Sequence, residues 1–185
     1  MSQHYDINWL TEKHEQGEKL KFIFFWGHSN KNNEEVGKFI FSQWWEAPFT
    51  VDGIIYKSTE HWMMAKKAVL FNDQECLEKI ISANKPAEAK KLGRQVKNFD
   101  ETLWNEHRFE IVKSGNLHKF SQHEKFAEYL LQTGDRVLVE ASPVDRIWGI
   151  GLAQDNNEIE NVSRWRGLNL LGFALMEVRD ILRTK

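Results

Sequence analysis

The amino-acid sequence predicts a mainly α fold with a small antiparallel β element (α+β) in a single compact domain. The chain has 185 residues, of which 41% are hydrophobic and 28% are charged, as is ordinary for one soluble domain with a sizeable core. Short apolar runs separated by turn residues fill the first third, which favours strands. The remainder repeats apolar residues at helical spacing between capping residues, which favours helices.

The predicted β element lies in the first third of the chain. The apolar run FIFFW (22–26) is consistent with a buried strand, and KFIFSQWW (38–45) is interpreted as a second strand. A polar loop (27–37), closed by a glycine at each end, connects them. In FTVDGIIY (49–56), the Asp-Gly pair between β-branched flanks predicts a hairpin. These segments together predict one small antiparallel sheet.

Six helices are predicted from apolar spacing and capping residues. Ser58 or Thr59 can cap the first, and Asp100 can cap the fourth, which we expect to end at Gly115. The helices are predicted at 60–71, 73–83, 86–94, 101–114, 123–133 and 168–183, with a short strand at 136–140.

Composition excludes several classes of function. The net charge of −2 lacks the basic excess that a broad nucleic-acid-binding face requires, so extended nucleic-acid binding is not expected. The single Cys76 excludes an internal disulfide, and the 7 histidines form no metal-binding motif, so we expect no metal and no cofactor. The 8 tryptophans are unusual, because this side chain fills cores but also lines pockets for flat rings and sugars.

The first 20 residues predict a polar N-terminal extension, with Trp9 and Leu10 as possible anchors, before a domain that spans 21–185. This extension lacks the basic start and apolar run of a signal peptide, and no stretch approaches the length of a membrane helix. We therefore expect a cytoplasmic protein that does not engage a membrane.

The segment STEHWMMAKKA contains the first candidate site residues. On a helix, Glu60, Met63, Met64 and Lys67 share one face, and the acid and the amine lie about 10 Å apart along the axis. They could bracket a ligand. The structural alternative is a glutamate that favours the helix dipole, two core methionines and a solvated lysine.

Aromatic and basic residues further along the chain are weaker candidates. Trp104 lies on an amphipathic helix, where a tryptophan belongs to the core more often than to a pocket wall, and Arg108 lies one turn later. The cluster of Lys90, Lys91, Arg94 and Lys97 could hold a phosphate, although such clusters are usually solvated.

The segment VEASPVDRIWGIG (139–151) is unusual for a loop, because it combines a rigid proline and two glycines with an acid and a tryptophan. It would place the Asp145 carboxylate beside the aromatic wall of Trp148, where the carboxylate could act as a base or stabilise positive charge. The structural alternative is an Asx-turn with Trp148 filling the core. Downstream, Asn169 lies at the start of the last helix, and helix N-termini attract anions.

Nine segments in this order resemble the NADAR family, also called YbiA-like. The resemblance runs from about Phe24 to Leu182. The segments are FFWGH, FSQWWEAPFTVDG, Y-x-S-x-EHWMMAKKA, LGRQV, W-x-x-x-R, KF-x-QH, LLQTGD, LVEASPVDRIWGIG and W-x-G-x-N-x-LG-x-x-LM-x-x-R. The resemblance implies a mainly helical domain with a small β element. It also implies a hydrolase of N-glycosidic bonds between ribose and an amine nitrogen, with no metal or redox cofactor.

The family resemblance assigns residues as well as a reaction. The family's functional glutamate falls on Glu60, its tryptophan on Trp104 and its acidic residue before WG on Asp145, while Lys67 matches a lysine two turns after the glutamate. Some members have an asparagine where this chain has Gln43, so the preferred base or sugar could differ. The predicted substrate-binding residues are Trp26, Arg94, Trp104, Arg108, Trp148, Gly149 and Asn169.

These assignments predict a mechanism with alternatives. Glu60 and Asp145 would support the positive charge that builds on the ribose, activate water or protonate the leaving group. Trp104 and Trp148 would stack on the base, and Arg94 would hold a phosphate. Lys67 would pair with Glu60 or the phosphate, or attack the opened sugar to form a Schiff base.

Two substrate classes and one non-enzymatic function remain open at this point. The expected substrates are ribosylamino-pyrimidine 5′-phosphates, the early intermediates of riboflavin biosynthesis. The first alternative is an ADP-ribosyl hydrolase that removes ADP-ribose from guanine or nucleic acid. The second is a non-catalytic binding module for NAD or ADP-ribose, which would not need two carboxylates and a lysine.

Overall fold

The computed structural model describes residues 4–30 and 33–184. Residues 1–3 of the predicted extension and 31–32 of the predicted polar loop lie outside the described residues. The chain divides into two units by its contacts: a first unit of 1–42 with 124–185, and a second unit of 43–123.

Helices and a few short strands make up the described residues, which confirms the predicted fold class. The helices are α1 (Ile7–Glu15), α2 (Thr59–Leu70), α3 (Gln74–Ser82), α4 (Pro86–Gly93), α5 (Glu101–Gln122), α6 (Glu124–Gln132) and α7 (Leu170–Arg183). The strands are β1 (Phe22–Phe25), β2 (Phe49–Val51), β3 (Ile54–Tyr56) and β4 (Val137–Glu140). Within the described ranges, no helix is long and apolar enough to cross a membrane.

The first unit is built on a parallel pair of strands. Strand β1 pairs with β4 in register, from Phe22 opposite Val137 to Phe25 opposite Glu140. Helix α7 packs closely on β4, since a Cβ added at Gly172 would lie 2.0 Å from the Leu138 carbonyl oxygen. The prediction that β1 belongs to an antiparallel sheet with the hairpin was therefore wrong. Its continuous apolar sequence is typical of a strand in a parallel pair.

The predicted second strand at 38–45 is also wrong. Residues Lys38–Phe41 form a 3₁₀ helix, and Phe39, Ile40 and Phe41 are all buried. A strand with one solvated face would expose alternate residues, whereas this turn directs three consecutive apolar side chains inward. Short apolar runs do not distinguish the two by periodicity alone.

The predicted hairpin is confirmed as β2 and β3, which pair antiparallel. Asp52 and Gly53 form its two-residue turn, with φ of 51° and 79°. Positive φ at both positions matches the twist of the flanking strands and favours this dipeptide.

Helix α2 lies at the centre of the second unit, where it packs against α3, α4 and α5. Its N-terminus is capped by Ser58, whose side chain accepts a hydrogen bond from the His61 amide. Helix α5 begins after the predicted cap, Asp100, but does not end at Gly115 as predicted. It continues to Gln122. Gly115 permits close packing instead of ending the helix, since a Cβ there would lie 2.4 Å from Trp62 Cδ1.

The extension contains helix α1, capped by Asp6, whose side chain accepts a hydrogen bond from the Trp9 amide. Leu10 is fully buried, so the predicted anchor residue belongs to the core. The domain boundary at residue 21 stays a prediction.

A lysine is buried in the second unit. Lys119, on α5, has no solvent exposure, and burial lowers the pKa of its amine to about 7. Burial has this effect because desolvation disfavours the charged form.

We predict that Gly115→Ala destabilises the protein. Glycine to alanine in a helix ordinarily stabilises by roughly 0.5–1 kcal/mol. Here the added methyl group meets the Trp62 indole, and overpacking costs about 1–3 kcal/mol. Urea unfolding measures the change, with Asn105→Ala, at an exposed position of α5, as the control that should not destabilise. A Gly115→Ala protein as stable as the wild type would contradict this packing.

We predict that the free energy of unfolding rises with pH, because burial lowers the pKa of the Lys119 amine in the folded state. Below pH 7 the lysine is protonated in both states, and between about 7 and its ordinary value only the unfolded state holds the proton. Stability therefore increases as pH rises through this window. Urea unfolding near pH 6 and near pH 9 should show a smaller increase in Lys119→Met than in the wild type, by on the order of 1 kcal/mol or more. Equal increases would contradict the lowered pKa.

Candidate functional site

Glu60 lies in the first turn of α2 and is only 2% exposed. Its backbone amide donates to the Gln43 carbonyl oxygen at 3.0 Å, and the Thr59 hydroxyl donates to the same oxygen at 3.2 Å. These contacts anchor the first turn of α2, so Glu60 lies at a helix N-terminus, whose dipole favours negative charge. Burial makes it unlike the solvated glutamate that usually occupies such a position.

Lys67 lies two turns later on α2 and is partly buried, so the structural alternative of a solvated lysine describes it only in part. Its amine donates a hydrogen bond to the Gly93 carbonyl oxygen at 2.9 Å. It lies 4.2 Å from the ring centroid of Phe99 and 5.6 Å from that of Trp104. Burial lowers the pKa of this amine, and a weaker interaction with Cys76 opposes the shift.

Aromatic rings around the Lys67 amine remain accessible. Phe99 is 46% exposed, and Trp104 is partly exposed, so neither is a fully buried core residue. This arrangement offers ring faces next to an amine with a lowered pKa. It can stack on a flat ring while presenting a nucleophile or a hydrogen-bond donor to it.

The remaining side chains of this α2 face belong to the core. Met63 and Met64 are buried, as the structural alternative predicts.

Gln43 is also buried, and its Oε1 accepts a hydrogen bond from Asn116 Nδ2 at 2.8 Å. Within the described part of the chain, its Nε2 has no acceptor. Gln43 is the residue at which some members of the resembled family are expected to have an asparagine.

The predicted basic cluster does not act as one group. Lys97 forms an ion pair with Glu75 at 3.1 Å, and the Lys90 amine lies 5.7 Å from the Trp44 ring centroid. Arg94 is exposed at the end of α4, where a phosphate could reach its guanidinium. Arg108 is partly buried on α5.

In the first unit, Asp145 organises the turn after β4. Its Oδ1 accepts hydrogen bonds from the amides of Ile147 and Trp148, each at 2.8 Å. This is the Asx-turn of the structural alternative. Asp145 is nevertheless partly exposed, and Trp148 is partly exposed rather than buried in the core. The carboxylate has a structural role and remains accessible.

Close backbone contacts hold this turn rigidly. A Cβ added at Gly167 would lie 2.2 Å from the Gly149 carbonyl oxygen. The two backbone segments therefore approach each other at a distance that only glycine permits. Asn169 is fully buried, with its Oδ1 accepting from the Glu140 amide and its Nδ2 donating to the Leu138 carbonyl oxygen. These internal hydrogen bonds explain its burial, and contact with a substrate stays a prediction.

Trp26 follows β1 and is 56% exposed. It lines a cavity of about 400 Å³ in the first unit, together with Phe24, Lys38 and Tyr129.

The predicted site residues are divided between the units. The first unit holds Trp26, Asp145, Trp148, Gly149 and Asn169, and the second holds Glu60, Lys67, Arg94, Trp104 and Arg108.

Sequence reasoning did not single out two buried cations. Lys119 lies in the KF-x-QH segment and Arg179 in the LM-x-x-R segment, and both are fully buried or nearly so. Their motif positions were the available signal, but lysine and arginine on amphipathic helices are usually exposed. In 4–30 and 33–184, no group of three or more histidine, cysteine or acidic residues could hold a metal ion.

Comparisons with known proteins identify relatives across most of the chain. An N-glycosidase of Acanthamoeba polyphaga mimivirus is 44% identical over 165 residues, covering 86% of this chain and 95% of that protein. N-glycosidase YbiA of Escherichia coli is 29% identical over 81% of this chain and 84% of its own length. A riboflavin biosynthesis protein of Vibrio vulnificus is 34% identical over 134 residues. The matched region covers 72% of this chain and 33% of that protein.

A solved structure supports the same relationship. The NMR structure of the Escherichia coli protein YbiA has a TM-score of 0.71 and 27% sequence identity, covering 89% of this chain and 86% of that one. The NADAR domain model matches residues 24–183. With nearly the whole chain matched and a 44% identical relative of similar length, the chain belongs to the NADAR family.

Proposed function

We propose that this chain is an N-glycosidase that hydrolyses the ribose–nitrogen bond of ribosylamino-pyrimidine 5′-phosphates, early intermediates of riboflavin biosynthesis. Relatives named N-glycosidase, one of them 44% identical, support the reaction. The relative named as a riboflavin biosynthesis protein supports the substrate class. The observation that carries the proposal is the environment of Lys67, an amine with a lowered pKa beside accessible aromatic rings and on the same helix as a buried carboxylate.

The reaction sets the requirements for the side chains. The bond between ribose C1 and nitrogen breaks, its electron pair goes to the nitrogen, and a water oxygen forms a new bond to C1. The nitrogen gains a proton and the water loses one, so an acid and a base are needed. Positive charge builds on the ribose ring during cleavage, and a carboxylate stabilises it.

We assign these tasks to Glu60 and Asp145. Glu60 is a buried carboxylate, and removal from water strengthens its interaction with a developing positive charge. Asp145 is held by two backbone amides through Oδ1, which fixes its orientation. A side chain that is already oriented does not lose this freedom during the reaction.

Lys67 and the aromatic residues bind the substrate in this proposal. The faces of Trp104 and Phe99 stack on the pyrimidine. The exposed guanidinium of Arg94 binds the 5′-phosphate. Lys67 donates to the substrate, or its neutral amine bonds to C1 of the ring-opened sugar and displaces the pyrimidine amine, which leaves with a proton. Water then hydrolyses the resulting imine to the C1 aldehyde and frees Lys67, and the lowered pKa supplies more of the neutral amine.

The proposed partner is therefore a small ribosyl phosphate. We also propose a cytoplasmic location, because Cys76 is a free, buried thiol, as is usual where thiols are kept reduced.

The experiment that tests the function offers two substrates side by side. Purified protein is given a ribosylamino-pyrimidine 5′-phosphate or ADP-ribosylated guanine, and mass spectrometry detects the released base and sugar phosphate. We expect cleavage of the first. Cleavage of the second alone would replace the proposal with an ADP-ribosyl hydrolase. Binding of both without cleavage would indicate a non-catalytic module.

We predict that Glu60→Gln lowers kcat by about 10²–10⁴-fold, because the amide can neither transfer a proton nor carry the negative charge. Glu101→Gln, in the exposed first turn of α5, is the matched control and should keep the wild-type rate. Circular dichroism and thermal unfolding establish that both variants fold. A folded Glu60→Gln protein with the wild-type rate would remove Glu60 from the mechanism.

We predict that Asp145→Asn retains its stability but loses activity. The asparagine oxygen can still accept from the Ile147 and Trp148 amides, so the turn persists, whereas Asp145→Ala loses these bonds and about 1 kcal/mol or more. Thermal unfolding and the hydrolysis rate are measured for both variants. If Asp145→Asn hydrolyses the substrate at the wild-type rate, the residue acts only in the turn.

The covalent role of Lys67 has its own test. Borohydride added during turnover reduces an imine to a stable amine, and peptide mass spectrometry locates the adduct. We compare Lys67→Met with Lys66→Met, because the adjacent Lys66 amine also lies over an aromatic ring, 4.4 Å from the Trp62 centroid. An adduct lost only in Lys67→Met supports the imine. No adduct in the wild type assigns Lys67 to substrate binding alone.

A further inference from the structure

A second cavity, of about 560 Å³, lies in the first unit and contains none of the predicted site residues. Helix α1 supplies one wall of it, and this helix precedes the family match, which begins at residue 24. The other walls come from the segments before β1 and β4 and from α7. The charged lining residues are Lys13, Glu18, Lys19, Lys21, Asp135, Arg136 and Arg179.

The cavity lies at the opposite edge of the parallel pair from the candidate residues of this unit. Lys21 immediately precedes β1 and Arg136 immediately precedes β4, so both mark the amino-terminal edge. Trp26 and the turn with Asp145 follow the carboxyl ends of the same strands. Four-residue strands separate the two edges by about 10 Å or more, at 3.3 Å per residue. The cavity is thus distinct from the candidate residues of the first unit.

The lining carries an excess of positive charge, five cations against two carboxylates. Both carboxylates are already paired: Glu18 with Lys13 at 2.7 Å, and Asp135 with Arg183 at 3.0 Å. The other cations on the surface of the cavity are exposed and form no ion pair among the described residues. They are Lys19, Lys21 and Arg136.

Arg179 is the buried cation of the cavity and is only 1% exposed. Its Nη1 donates to Thr133 Oγ1 at 2.9 Å and to the Arg136 carbonyl oxygen at 2.8 Å. Within the described ranges its Nε is a buried donor without an acceptor, and no carboxylate pairs with the guanidinium. A buried charge that lacks a direct ion pair is costly, even with the carboxylates of Asp180 and Asp135 acting on it from further away, and a bound anion would offset this cost.

Trp9 also lines this cavity. Its Nε1 is buried and has no acceptor in the part of the chain that the structure describes. The ring is held by edge contacts with Tyr5 and Phe173, at centroid distances of 4.8 and 6.4 Å. Tyr5 in turn donates to Asp180 at 2.6 Å, and burial together with this carboxylate raises the pKa of its hydroxyl to about 12. This hydrogen bond ties the segment that precedes α1 to α7.

We propose that this cavity binds a phosphate group, with Arg179 and Trp9 as buried donors and Lys19, Lys21 and Arg136 as the surrounding cations. Guanidinium groups match the geometry of phosphate oxygens and form charge-assisted hydrogen bonds with them. The volume is in the range of small-ligand sites, so the phosphate can be inorganic or carried by a nucleotide. This site does not depend on the proposed hydrolysis.

The test follows the indole N–H signal of Trp9 in a ¹H–¹⁵N NMR spectrum of the full chain, assigned by its loss in Trp9→Phe. Inorganic phosphate, AMP and adenosine are titrated separately at constant ionic strength, with chloride as the reference anion. We expect saturable shifts with phosphate, AMP or both, and no shift with adenosine or chloride. Saturation by phosphate alone identifies a free-anion site, and tighter binding of AMP identifies a nucleotide site.

Exposed residues provide the variants, because Arg179 also supports the turn before β4 and its replacement could unfold the protein. The double variant Lys19→Ala, Arg136→Ala should weaken the phosphate affinity about tenfold or more, since two charged contacts are lost. Lys79→Ala, on the surface of α3, is the control and should bind as the wild type does. The proposal is overturned by an unshifted Trp9 signal, by equal shifts with chloride or adenosine, or by unchanged affinity in the double variant.

Discussion

The close packing of helix α2 against α4 and α5 is the constraint on which the second unit depends. Two glycines permit it: a Cβ at Gly93 would lie 2.0 Å from Met64 Sδ, and one at Gly115 would meet the Trp62 indole. The Gly93 carbonyl oxygen also accepts the hydrogen bond from Lys67. Gly93 therefore leaves room for the Met64 side chain and positions the Lys67 amine. This links the packing of α2 directly to the candidate chemistry.

In the first unit, backbone contacts rather than side-chain packing fix the candidate turn. Asp145 holds the turn from within, and Gly149 and Gly167 allow two backbone segments to touch. Asn169, in the left-handed conformation with φ of 53°, bonds to one edge of β4, at Leu138 and Glu140, and caps the start of α7. A carboxylate in such a frame keeps its orientation without a substrate, which is the preorganisation that catalysis favours.

Local signals in the sequence predicted the parts of the fold that depend on local chemistry. The Asp-Gly turn of the hairpin and the caps Ser58 and Asp100 are confirmed, because each acts on neighbouring residues. The parallel pairing of β1 and β4 depends on a contact across more than 100 residues, which periodicity cannot reveal. Gly115 was misinterpreted as a helix end because its partner, Trp62, lies on another helix.

For the candidate residues, too, the sequence reveals their identity, whereas their burial and surroundings depend on contacts between distant parts of the chain. The motifs identified Glu60, Lys67 and Asp145, but only the structure shows that the glutamate is buried and that the lysine lies against aromatic rings. Sequence alone also missed Arg179, since its buried position depends on the segment before β4, where Thr133 and Arg136 accept its hydrogen bonds. Burial is a property of the whole packing, and it decides whether a charged residue is solvated or chemically unusual.

The pH titration of the Lys67 amine tests the central claim most directly, because burial by α2 packing is proposed to give this group its reactivity. The ε-carbon signal of Lys67, assigned by its loss in Lys67→Met, is followed by NMR as the pH is raised. The account predicts a midpoint below the ordinary lysine value, since desolvation disfavours the ammonium form. A midpoint at or above that value would contradict the claim that the fold prepares this amine for chemistry.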